Sequence, residues 1–96
     1  MNKKFEFDEA KSAANKAKHG IDFVEAQSLW EDPNLIEVPA NYEYEDRFLD
    51  TGWIATANIS GHIYTAVITY RNSNIRIISV RRAHKNEEKR YEDNKN

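Results

Sequence analysis

Ninety-six residues, 40% of them hydrophobic and including two Trp, five Tyr and four Phe, supply one domain with one modest core and exclude a second. With no cysteine there are no disulfides or thiolate metal sites, as fits a reducing compartment. No apolar run approaches the roughly 20 residues of a membrane span, and acids at Glu6, Asp8 and Glu9 follow the basic start too closely for a signal peptide, so a soluble cytoplasmic protein is expected. The net charge of −2 hides a segregation: residues 21–50 carry one Arg against nine acids, whereas residues 51–82 carry four Arg and no acid. Such a division builds a basic and an acidic face unless folding brings the two together.

In chain order, Lys4–Phe7 reads as a short strand. Asp8 is an N-cap, and Glu9–His19 has helical spacing, with Ala10, Ala13, Ala14 and Ala17 as a small apolar stripe. Gly20 stops that helix as its left-handed residue. Asp22 and Glu25 form a capping-box pair for a second helix whose inner stripe is Phe23, Ala26 and Trp30, ended by Asp32-Pro33-Asn34. Leu35–Val38 is a possible strand that Pro39 confines to an edge, and Asn41–Asp46 is an acidic loop. From there the pattern is β: Arg47–Ile59, Ile63–Arg71 and Ile75–Arg82, joined by turns at Ser60-Gly61 and Asn72-Ser73-Asn74. A polar helix over Lys85–Glu92 follows, and a single domain of residues 1–93 ends in a disordered tail. The expected class is α+β: a strand and two helices, an antiparallel meander, then a helix.

The segments Phe5-Glu6-Phe7-Asp8-Glu9-Ala10-Lys11, Asn15, Lys18-His19-Gly20-Ile21-Asp22-Phe23, Asp32-Pro33, Glu45-Asp46-Arg47-Phe48, Gly52, Ile75–Ala83, Glu87 and Tyr91-Glu92 together resemble the BrnT toxins, in the right order along nearly the whole chain. The resemblance implies a small bacterial ribonuclease, the toxin of a type II toxin–antitoxin pair, with a RelE-like fold. It also implies a BrnA-type ribbon-helix-helix antitoxin as partner, with operator DNA reached only through that antitoxin. Asn86 and Glu88 stand where relatives commonly carry arginine, which leaves the last helix neutral, and Phe7 stands where tryptophan is frequent.

RNA cleavage of this kind needs a base for the ribose 2′-OH, cations for the pentacoordinate phosphate and an acid for the leaving 5′-oxygen. Arginine suits the cationic role because its planar fork stays charged and donates several hydrogen bonds. Arg71 and Arg81, both at strand ends, are the leading phosphate ligands. Arg82 points to the opposite face from Arg81, so one of the pair reaches the site while the other anchors the helix or meets an acid. Arg76 reads as a solvated strand position. His19 has the right kind of pKa, but a histidine in a last helical turn more often caps carbonyls. Lys18 is the better phosphate contact or proton donor, and Lys11 with Asn15 extends that surface. Glu45 and Arg47 read as base and phosphate ligand or as a surface ion pair. Tyr91 stacks on a base or packs the last helix. His62 and His84 are poor catalysts, and no spacing supports a metal site or other cofactor. The expected activity is a metal- and ribosome-independent endoribonuclease. The rival is a non-catalytic module that acts as co-repressor with its DNA-binding partner, which the neutral last helix favours.

Overall fold

The computed structural model describes residues 4–40 and 46–95. Five strands form one sheet in the order β1-β5-β4-β3-β2: β1 (Phe5–Glu6), β2 (Ile36–Ala40), β3 (Arg47–Ile54), β4 (His62–Arg71) and β5 (Asn74–Arg82). Strands β2 to β5 pair antiparallel, as the alternating β-branched segments predict, but β1 joins β5 in parallel, so the sheet is mixed. Helix α1 (Glu9–His19) lies between β1 and a 3-10 helix over Glu25–Glu31, and α2 (Lys85–Asn94) follows β5.

One sheet face holds the core. Cross-strand partners share a face, and the pairs Ala66–Val80 and Ile68–Ile77 place those four side chains together against Ile21, Phe23, Ala26 and Leu29. All eight are at most 2% exposed. The edge-on contact of Phe7 with Phe23 and the tilted contact of Phe5 with Trp30 close the core beside β1.

Several expectations need correction. The alanine stripe of α1 faces outward, and the buried residues of that helix are Ser12 and Asn15. The reason lies at the sheet edge. Strand β1 pairs only with Ile75 and Arg76, so the backbone of β5 beyond it has no neighbour. Asn15 supplies one: its Nδ2 donates to the carbonyls of Val80 (2.9 Å) and Ile21 (2.8 Å), and its Oδ1 accepts from the Val80 N–H (3.1 Å). Ser12 likewise accepts from the Phe23 N–H (2.9 Å). Buried backbone groups must be paired, so this face of the helix is polar.

The second helix does have the reciprocal Asp22–Glu25 cap, at 2.7 and 3.0 Å, but it winds as a 3-10 helix of seven residues. The strand expected over Arg47–Ile59 stops at Ile54. Residues 55–61 form a loop closed by reciprocal Thr56–Ile59 backbone hydrogen bonds. The β4–β5 connection is tighter than expected, with Asn72 and Ser73 alone outside the strands, both at positive φ (52° and 69°). Helix α2 runs two residues past Glu92, into the stretch expected to be a tail.

The bulge in β5 decides where its arginines point. Val67 faces Ser79 but Ile68 faces Ile77, so Ile78 is an extra residue and the alternation changes phase there. Arg76 and Arg81 therefore project from the same face, opposite to the core, although their spacing of five would separate them in a regular strand.

Candidate functional site

The face opposite the core is covered by α2 at one end only. There Glu87, 3% exposed, takes both guanidinium nitrogens of Arg81 (2.8 and 3.0 Å), the Thr65 hydroxyl (3.0 Å) and the His84 N–H (2.8 Å). Thr65 also shares a 2.8 Å hydrogen bond with Thr51. Burial pushes the Glu87 carboxyl up, but the hydrogen bonds from Arg81, His84 and Thr65 outweigh it and hold the pKa at about 2. Arg81 is thus the member of the Arg81–Arg82 pair that anchors the helix. Arg82, on the other face, lies 6.0 Å from the centre of the Tyr64 ring.

At the other end the described residues leave the same face open, with a cavity of about 450 Å³ lined by Lys11, Arg47, Arg71, Arg76, Asp46, Thr69, Tyr70 and Ile78. Its construction follows from the sheet. Arg76 is opposite Thr69, and Arg71 is opposite Asn74 across the tight turn. Arg47 precedes Phe48, which pairs with Ile68 on the core face, so Arg47 projects to the open side. Lys11 reaches in from α1, whose first turn is fixed by the Asp8 side chain accepting the Lys11 N–H (3.0 Å). Thr69 donates to the Asp46 carbonyl (2.7 Å), which ties the start of β3 to β4. Arg76 is steadied by Glu6 at 3.7 Å, and Glu6 in turn accepts from Asn74 (2.8 Å). Arg71 is exposed and makes no hydrogen bond or ion pair with another described residue. Among the described residues, four cations against one carboxylate line this cavity and make it locally positive.

The cavity gathers Lys11, Arg47 and Arg71 from the residues singled out in the sequence, and adds Arg76. The rest lie elsewhere. Arg81 and Arg71 both end strands, but antiparallel neighbours end at opposite sides of the sheet. Arg81 faces Thr65, six residues from Arg71, or about 20 Å at strand spacing. Asn15 has its amide engaged by the backbone of β5 and Ile21, which makes it part of the fold. Lys18 and His19 are exposed at the far end of α1, outside the cavity lining. Tyr91 is 2% exposed and donates to Asp32 (2.6 Å), so it packs α2. Glu45 lies outside the described residues. Among the described residues no group of three His, Cys, Asp or Glu is placed to hold a metal, and no helix is long and apolar enough to cross a membrane.

The profile of a ribonuclease toxin family, BrnT, of type II toxin–antitoxin systems matches residues 7–87. The chain belongs to the BrnT family. The matched span holds every residue of the basic cavity, from Lys11 to Ile78. A comparison with curated proteins finds no match. For a BrnT protein, ribonuclease activity and an antitoxin partner are properties of the family, and the basic cavity is where four cationic side chains of this chain converge outside the core.

Proposed function

We propose that this BrnT chain is an endoribonuclease that needs neither metal nor ribosome, with its RNA phosphate held in the Lys11–Arg47–Arg71–Arg76 cavity. The observation that carries the reading is the convergence of those four cations beside a carboxylate on the sheet face opposite the core. Arginine forks match the oxygens of a phosphodiester and stabilise the extra charge of the pentacoordinate state. Asp46 takes the 2′-OH proton as the O2′–P bond forms. Lys11 gives a proton to the 5′-oxygen as the P–O5′ bond breaks, leaving a 2′,3′-cyclic phosphate and a 5′-hydroxyl. Glu45, next to Asp46 in sequence, is the second candidate base. The same reading takes the fold as RelE-like and the neutralising partner as a BrnA-type antitoxin, through which alone operator DNA is met.

Purified protein incubated with a long RNA in EDTA, without ribosomes, tests this. Cleavage to cyclic-phosphate ends is expected, with Arg71→Ala and Arg76→Ala each lowering kcat/KM by about 10²-fold. Arg82→Ala, on the other sheet face, should cleave as wild type. Absence of cleavage by folded protein would replace this reading with the non-catalytic co-repressor.

A further inference from the structure

A second cavity, of about 480 Å³, lies where the end of the 3-10 helix, the far end of β3 and α2 meet. One wall is the indole of Trp53, 48% exposed. That ring is seated on Gly61, where a Cβ would come within 2.1 Å of it, so the glycine keeps the indole in place. Tyr91 forms another wall, its hydroxyl fixed to Asp32 (2.6 Å), and Glu31 is exposed at the opening. Asp32 also accepts the N–H groups of Trp53 (2.8 Å) and Asn34 (2.8 Å). A cation already uses these walls: the Lys95 ammonium lies 5.5 Å from the centre of the Tyr91 ring and 3.7 Å from Glu92.

Aromatic faces beside carboxylates attract an ammonium or guanidinium and repel phosphate. The lining reinforces the sign, since its charged residues are Glu31 and Asp32 against Lys95 alone. We infer that this cavity is the socket for an arginine or lysine side chain of the antitoxin, which stacks on Trp53, pairs with Glu31 and displaces Lys95. The occupant is a protein cation because both charge and wall chemistry oppose a nucleic-acid backbone. Family membership supplies the partner, and the inference does not depend on the ribonuclease site.

Titration of the full chain with its cognate antitoxin by calorimetry tests the socket, using Trp53→Ala and the charge reversal Glu31→Lys, an exposed change that leaves the core intact. Each should weaken binding by about tenfold or more, while RNA cleavage and RNA affinity stay at wild-type values. Unchanged affinity in both variants would overturn the inference. Loss with Trp53→Ala alone would make the contact apolar and overturn the cationic occupant. A rise in the KM for RNA with antitoxin affinity intact would turn the cavity into a nucleobase subsite, which also overturns it.

Discussion

Glu87 shows how one side chain divides a sheet face into a closed and an open half. Its carboxylate is buried, and the cost of burying a charge is met by a bidentate arginine, a hydroxyl and a backbone N–H. Arg81 is thereby engaged and half-buried, and α2 is held over Thr65. The sign of the pH effect follows. The folded-state pKa of about 2 is below the ordinary 4.5, so the stabilisation is complete above pH 4.5 and is lost as pH falls from there toward 2. The full effect is about 3 kcal/mol. Glu87→Gln should therefore lower stability at pH 7 and flatten the acid limb of the curve, measured as urea midpoints between pH 7 and pH 3. An acid limb that stays as steep in the variant would place the controlling carboxylate elsewhere. Arg81→Ala should be destabilising as well, because it leaves the buried carboxylate without its cation.

Between β4 and β5, two residues outside glycine carry the turn. Asn72 and Ser73 both have positive φ, the geometry that matches a two-residue hairpin to strand twist. Asparagine tolerates it, whereas serine pays roughly 1 kcal/mol for the left-handed region. Ser73→Gly should accordingly raise stability by up to about 1 kcal/mol in chemical denaturation without moving Arg71 or Arg76, so RNA cleavage should be unaltered. A destabilised Ser73→Gly would mean that the unfolded-chain entropy of glycine outweighs the relieved strain. The strands and the place of this turn were legible in the sequence because alternation of Ile, Val and Thr marks strands locally, although β3 stops at Ile54 and Asn74 belongs to β5. The polar face of α1 was not: Asn15 is buried because β1 is only two residues long, a pairing between distant segments. The place of Arg76 in the cavity lining was not legible for a related reason. Its face depends on the bulge at Ile78, which leaves no trace in the strand's composition. Arg71 and Arg47 were legible as cations at strand ends, but which cations meet is set by register, and register placed Arg81 at the other end of the sheet.

Across the whole molecule, the segregation of charge along the chain survives folding in part. Cations from α1, β3, β4 and β5 meet in one cavity, while the acidic stretch contributes Asp46 there and Glu31 and Asp32 to the other. A net charge of −2 therefore coexists with a locally positive cavity, and under the proposed function long-range attraction to RNA is weak and contact attraction carries the binding. Screening acts over about 10 Å at 0.1 M salt, so the proposed function has RNA affinity follow the cavity's charges and not the sum of charges. Each neutralised phosphate of a single strand contributes a slope of about −0.7 in log K against log salt. Two to four contacts predict a total slope between about −1.4 and −2.8 for an RNA carrying a 2′-O-methyl block against cleavage. Arg76→Ala should reduce that slope by about 0.7, and Arg82→Ala should leave it unchanged, as read by fluorescence anisotropy between about 50 and 200 mM KCl. A slope that Arg82→Ala lowers and Arg76→Ala does not would move the RNA to the core side of the sheet, where Arg82 lies over Tyr64, and would remove the open cavity from the reaction.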